Sequence, residues 1–231
     1  GDRYRLVAFI DDTSEKQGRS PQGYEVLGRQ ALAQAPETAV LAVPGSPTSY
    51  RLRRAVIEGL GLHASRFVRV VHPFARISPF TTLGSNVLLM AGVIITSNAV
   101  IGNHVCVLPN TVIHHDTIIG DFSLIGSNVT VAGGVVIGEN CYIGSGTSLM
   151  NGISVGEGAL VGLGSNVIRD VPAGTRVAGN APVIDDTPLR RATLVHRAEA
   201  FLLESLGAGF QPEEVEQAVQ QAMERWRINQ Q

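Results

Sequence analysis

Residues 118–143 read Ile118-Ile119-Gly120-Asp121-Phe122-Ser123-Leu124-Ile125-Gly126-Ser127-Asn128-Val129-Thr130-Val131-Ala132-Gly133-Gly134-Val135-Val136-Ile137-Gly138-Glu139-Asn140-Cys141-Tyr142-Ile143, and every sixth residue from Ile119 is a branched aliphatic. The register extends in both directions: Ile77, Leu83, Leu89, Ile95, Ile101, Val107 and Ile113 precede it, and Leu149, Val155, Val161 and Val167 follow. Sixteen positions fit without a slip, and eight of them are followed directly by glycine. A six-residue period matches neither the 3.6 of a helix nor the 2.0 of a flat strand. It matches a short strand plus a corner. Three such units close a triangular coil of about 18 residues whose aliphatic side chains point inward, and coils stack at the inter-strand spacing of about 4.8 Å. Sixteen units predict about five coils and a prism about 25 Å tall, a parallel β-helix of the hexapeptide type.

Composition agrees with a narrow interior filled by one aliphatic per side. The 231 residues include 26 glycines, 27 valines and 16 isoleucines, but only 5% aromatics. The net charge is −2 and 16% of residues are charged, which excludes a general nucleic-acid coat, since phosphate binding needs a basic excess. With 44% apolar residues the chain has ample material to bury, which excludes disorder. Cys106 and Cys141 are too few for a disulfide framework and read as buried and reduced. No apolar run is long enough to span a bilayer and no signal peptide is recognisable, so a soluble, cytoplasmic protein is expected.

The flanks divide the chain into residues 1–70, 71–183 and 184–231. In the first, Leu6–Ile10 reads as a buried strand ending at Asp11-Asp12, Ala39–Val43 as a second strand stopped by Pro44-Gly45, and Arg51–Leu60 as a helix with Leu52, Ala55, Val56 and Leu60 on its apolar face. This is a small α/β unit with a parallel sheet. It reads as a truncated Rossmann-like domain, because no G-x-G-x-x-G turn is present to cradle phosphate. In the third, a helix is expected over 188–206, stopped by Gly207, and another from Pro212, with Val215, Ala218, Val219, Ala222, Met223 and Trp226 on one face. These helices are expected to cap the β-helix or pack on a sister subunit, a partner-docking tail being the alternative.

Within the repeat, Val112-Ile113-His114-His115-Asp116-Thr117-Ile118-Ile119-Gly120 carries a histidine pair followed by a carboxylate. Imidazole titrates near neutrality and serves as a general base, and a carboxylate on its other nitrogen fixes the tautomer and stabilises the imidazolium. His115 and Asp116 follow the inward Ile113 by two and three places, which puts them on an exposed corner.

With the repeat, this motif, the opening Phe9-Ile10-Asp11-Asp12, the His72-Pro73 entry and the exit Arg169-Asp170-Val171-Pro172-Ala173-Gly174-Thr175…Gly179-Asn180-Ala181-Pro182, the chain resembles the bacterial sugar acetyltransferases. More narrowly it resembles the sialic acid O-acetyltransferase and nucleotide-amino-sugar N-acetyltransferase group, over residues 4–183. The resemblance implies a left-handed β-helix, whereas the general preference for right-handed crossovers would give the opposite hand. It also implies a homotrimer with acetyl-CoA bound between subunits, a nucleotide-linked sugar held by the α/β domain, and a role in surface-glycan biosynthesis. His115 becomes the general base and Asp116 its orienting carboxylate. Asp11, Asp12 and His114 become substrate contacts, the alternative for the two aspartates being a loop-initiating turn. Gly133, Gly134, Ser145, Gly146, Leu163 and Gly164 become coenzyme contacts, with Arg169 or Arg176 for its 3′-phosphate. His72 is expected to be a structural linker residue and His104 a surface one.

Two features depart from the group. Some members place a second histidine nine residues after the base to hydrogen-bond the thioester carbonyl; Leu124 stands there, so backbone N–H groups would have to serve. The Gly-rich turn is also missing. The expected activity is acetyl transfer from acetyl-CoA to the amine of a nucleotide-linked sugar. The alternatives are O-acetylation of a sialic-acid-like sugar and a degenerate, non-catalytic binding scaffold. A zinc-dependent carbonic anhydrase on the same fold would need three converging histidines, which His104, His114 and His115 do not offer at this spacing, so no metal is expected.

Overall fold

The structure, a computed structural model, describes residues 4–178, 198, 201–203 and 205–228. Gly1–Val183 form one compact unit and Ile184–Gln231 a second.

In the first unit all sixteen hexad aliphatics occupy the second place of a two-residue strand, from Arg76–Ile77 to Asn166–Val167. Each strand pairs in parallel with the strand one coil away: Val112 stands between Ile94 and Thr130. The three faces hold seven, six and five strands. Val70–Val71 and Arg176–Val177 extend the seven-stranded face beyond the expected register, so six spacings make that face about 29 Å tall. The last coil is shorter, because Val161 pairs with Val177 and Val155 bridges Val171. The shortening falls between Val167, which keeps the 18-residue step from Leu149, and Val171.

The interior holds two side chains per hexad rather than the one expected. The second lies four residues after the first and is small: Val105, Thr111, Thr117, Ser123, Val129 and Cys141 are all fully or almost fully buried there. Thr111, Ser123 and Thr147 donate their hydroxyl hydrogen bonds to the carbonyls of Gly126, Gly138 and Gly162, and the Cys141 thiol donates to Gly156. These bonds satisfy buried polar groups that a purely aliphatic column would not contain. Both cysteines are free and buried, as expected, and burial pushes both thiols up.

The corners obey a strict rule. The residue three after each inward aliphatic has a positive φ in every hexad from Asn86 to Gly164. Asn and Gly fill most of these places, but His104, Asp116 and Phe122 also adopt φ values of 58°, 58° and 62°. The glycines that directly follow the aliphatics do a different job. A Cβ on Gly120 would stand 2.6 Å from the Glu139 nitrogen, and one on Gly138 2.7 Å from the Glu157 nitrogen. There glycine is required by the closeness of the next coil.

The N-terminal segment differs from its expected form. Its sheet is three-stranded and mixed: β1 (Ala8–Ile10) pairs in parallel with β3 (Glu25–Leu27), which pairs antiparallel with β2 (Gly18–Arg19). β1 is not buried, since Phe9 and Ile10 remain exposed. The Ala39–Val43 strand reduces to one bridge between Val40 and Phe67. α1 spans Ala31–Gln34, and α2 (Arg53–Glu58), preceded by a 3-10 turn at Tyr50–Leu52, buries Tyr50, Arg53 and Ile57, not Leu52 and Val56. The helix face is rotated because Arg53, although charged, has acceptors to reach: its guanidinium donates to the carbonyls of Pro44 and His104, the latter at 2.6 Å. Burial lowers its pKa to about 10, so it stays charged at neutrality.

This segment seals one edge of the prism. Tyr50 Oη donates to the Gly158 carbonyl at 2.9 Å, Asn140 Nδ2 donates to the Arg51 carbonyl, and Arg54 pairs with Glu139. Asn86 exchanges two hydrogen bonds with the Ala42 backbone. His104 is therefore not a surface residue. It stacks on Phe122 at 4.6 Å, meets Phe67 edge-on, and accepts from Asn86 Nδ2 at Nδ1. Burial and the nearby Arg53 lower its pKa, keeping the ring neutral. His72 has the expected structural role, its Nδ1 accepting from the Phe74 amide.

In the second unit, α3 spans Pro212–Ile228 and begins at Pro212 as expected. Glu214 reaches back to accept from the Gln211 amide at 2.8 Å, a capping arrangement at a proline-initiated N-terminus. Val215 is buried, whereas Val219 and Met223 are exposed. The helix expected over 188–206 falls largely outside the described residues, as do Gly179–Pro182 and the Trp226 side chain; residues 201–203 and 205–207 are helical.

The two glycine roles predict different costs. Gly138→Ala, with no room for a methyl group, should destabilise by about 1–3 kcal/mol, the range for overpacking. Gly164→Asn keeps a residue suited to the open positive-φ corner and should stay within about 0.5 kcal/mol. Thermal unfolding of both variants checks this; equal losses would disprove the distinction.

Candidate active site

A second edge of the prism stacks Ser97-Asn98, His115-Asp116, Gly133-Gly134 and Asn151-Gly152 in successive coils. Its backbone is clamped from both sides. The Asp116 amide donates to the Ser97 carbonyl below, and the Gly134 amide donates to the His115 carbonyl above. On this fixed frame the left-handed Asp116 turns its carboxylate to its neighbour, and Oδ2 lies 2.7 Å from His115 Nδ1. Asn98 Nδ2 donates to the other oxygen, Oδ1, at 3.1 Å. These two hydrogen bonds, His115 first, hold the Asp116 carboxyl below its ordinary range.

An ionised carboxylate only accepts, so the proton between the two groups sits on His115 Nδ1. That leaves the Nε2 lone pair free to take a proton. The ring lies against Gly133: a Cβ there would stand 2.6 Å from Cε1 and 2.7 Å from Nε2. Gly133, expected as a coenzyme contact, thus has a requirement set by this chain's own histidine.

The structure brings His115, Asp116, Gly133 and Gly134 together, with His114 half-buried beside them. Ser145, Gly146, Leu163 and Gly164 do line later coils, but on a different edge, after the strands Tyr142–Ile143 and Leu160–Val161. Ser145 Oγ accepts from the Ser127 amide there, and Leu163 is exposed. Arg169 and Arg176 are both exposed, the first after the strand Asn166–Val167 and the second within the strand Arg176–Val177 of the seven-stranded face. Asp11 accepts from the Thr13 amide and pairs with Lys16, contacts that hold its pKa at about 2. Asp12 accepts from the Arg29 amide and side chain. Asp11 therefore forms the local turn, whereas Asp12 ties the loop to Arg29, 17 residues on; both carboxylates keep acceptor capacity to spare. Leu124 packs with Tyr50 and Cys106 under the N-terminal segment, so the place of the second histidine is a core contact. Among the described residues no group of three or more His, Cys, Asp and Glu could hold a metal ion.

The sequence matches the family described as bacterial transferase hexapeptide (six repeats) at residues 80–115, 98–133 and 116–151, and the hexapeptide repeat of succinyl-transferase at 134–169. The fold and these matches define a left-handed hexapeptide β-helix acyltransferase. Within that class the chain is similar to solved structures of bacterial sugar acetyltransferases. One is a histidine-to-alanine variant of GDP-perosamine N-acetyl transferase from Caulobacter crescentus in complex with CoA and GDP-perosamine, with 27% identity, TM-score 0.68, and coverage of 78% of this chain and 85% of that one. Another is the acetyltransferase domain of PglB from Neisseria gonorrhoeae in complex with acetyl coenzyme A, with 26% identity, TM-score 0.64, and coverage of 77% and 85%. A third is WeeI from Acinetobacter baumannii, with 27% identity, TM-score 0.63, and coverage of 75% and 82%. No curated protein matches the sequence.

A carboxyl held below its ordinary value is fully ionised at neutrality, and its bond to His115 is lost only as pH falls through that lowered value. His115→Ala should therefore raise the Asp116 titration midpoint, read by carbon-13 NMR of the carboxyl. An unmoved midpoint would show that the His115 bond does not exist in solution.

Proposed function

We propose that the protein transfers the acetyl group of acetyl-CoA to the amino group of a nucleotide-linked sugar, with His115 as general base. The observation that carries this reading is the 2.7 Å contact of His115 Nδ1 with Asp116, which leaves Nε2 bare beside a Cβ-less corner. The neighbours that bind CoA, acetyl coenzyme A and GDP-perosamine support the substrate class.

As the amine nitrogen attacks the thioester carbon, its proton passes to His115 Nε2 and the imidazolium is stabilised by Asp116. The tetrahedral intermediate collapses by breaking the carbon–sulfur bond. The imidazolium proton then passes to the sulfur, giving the N-acetylated sugar and free CoA. Leu124 offers no hydrogen bond to the oxyanion, so backbone N–H groups serve that role.

The working assembly in this proposal is a homotrimer with sites between subunits, in the cytoplasm, serving surface-glycan biosynthesis. Val100, Ile118 and Val136 stack as an exposed apolar column on the face next to the His115 edge, a surface suited to a second copy. Across such an interface the Ser145–Gly146 and Leu163–Gly164 edge of one subunit would face the His115 edge of another, and a pantetheine arm would contact both. Asp11, Asp12 and His114 would contact the sugar nucleotide through their remaining capacity.

Acetyl transfer is tested by mass against nucleotide-linked amino sugars, GDP-perosamine included, and sialic acids. The expected result is an acetylated amino sugar whose rate of formation falls about 10²–10⁴-fold in His115→Ala. Acetylation of a sialic acid hydroxyl alone would replace N-transfer with O-transfer. Coenzyme binding without any turnover would leave a binding scaffold.

A further inference from the structure

We infer that Asn98 is a positioning residue of this site, fixing the Asp116 carboxylate so that it presents one oxygen to His115. The inference rests on the reading of His115 as base and adds to it a third member, one coil below. Asn98 Nδ2 donates to Asp116 Oδ1 at 3.1 Å, and Asp116 Oδ2 meets His115 Nδ1 at 2.7 Å. Each carboxylate oxygen thus has its own partner.

The corner itself does not call for asparagine. Asn98 has φ 60°, and glycine fills the equivalent corner at Gly92, Gly134, Gly146 and Gly152. The backbone bond between neighbouring coils, from the Asp116 amide to the Ser97 carbonyl, is also independent of the Asn98 side chain. What the amide adds is restraint. The final torsion of an aspartate is broad, so a carboxylate held by one hydrogen bond can swing about it. A second bond on the opposite oxygen removes that freedom. It also spreads the carboxylate's charge away from the ring, favouring its ionised form. The other ionisable group on this corner is His114; the coil above contributes Ala132, Gly133 and Gly134, and the coil below Thr96 and Ser97, none of them charged.

Asn98→Gly isolates the amide, because it keeps a residue at ease with the corner. The measurement is long-range nitrogen–proton NMR of histidine-labelled protein at pH 8, with the His115 signal identified by its loss in His115→Ala. In the wild type His115 should show one tautomer, protonated at Nδ1; in Asn98→Gly it should become a mixture. The kcat for acetyl transfer should fall about 3- to 10-fold, the worth of one hydrogen bond, with both KM values unchanged. Asn98→Asp, which sets a like charge against Asp116, should lower kcat further. A single Nδ1-protonated tautomer retained in Asn98→Gly would overturn the inference. Full acetyl transfer by His115→Ala would instead overturn the base, whatever the tautomer result.

Discussion

Each coil must come back, after three short strands, to a position one strand spacing above where it began. That requirement dictates the backbone at every corner. The residue three after each inward aliphatic turns into the left-handed region, where most side chains are strained and Asn, Asp and Gly are least so. The glycines after the aliphatics answer the same requirement from the other side, as a methyl group there would strike the backbone of the next coil. The scarcity of aromatics follows as well. With one branched aliphatic and one small residue per side, the triangle has no room for a ring, and Phe122 points outward onto His104.

Stacking in register also makes polar ladders. Side chains 18 residues apart stand at hydrogen-bond distance along an edge: Asn103 with Asp121, Ser85 with Asn103, Asn98 with Asp116. The candidate site is one rung of such a ladder with a histidine added. The left-handed corner at Asp116 has a use beyond turning the chain, since it directs a carboxylate to the preceding residue's ring. The fold thus supplies a preorganised histidine–carboxylate pair on rigid backbone. No loop has to close to assemble it.

The coil was legible because its period survives in residue identity: sixteen aliphatics at one spacing mark sixteen strands. The second inward column was hidden because Thr111, Thr117, Ser123, Cys141 and Thr147 interrupt its Val and Ala, residues made tolerable by carbonyls 15 residues on. His115 and Asp116 were legible as neighbours in sequence. Asn98 was not, although the 18-residue step that leads from His115 up to Gly133 leads equally from Asp116 down to Asn98. In α2, apolar spacing selected Leu52 and Val56, but burial went to Arg53 because two carbonyls waited for its guanidinium. Periodicity sees hydrophobicity; it does not see acceptors.

That arginine bears on where the chemistry can be. A triangular prism offers three edges, and the repeat by itself makes them equivalent. The N-terminal segment breaks the equivalence by covering the edge of Asn86, His104, Phe122, Asn140 and Gly158. A histidine there is drawn into packing: His104 sits in the same left-handed corner position as Asp116, yet it is stacked, and burial first and Arg53 second lower its pKa. Leu124, on the face this segment also covers, is apolar for the same reason. Among the described residues of the first unit two edges stay exposed, one carrying His115 and the other Ser145 and Leu163. In a single chain they point away from each other.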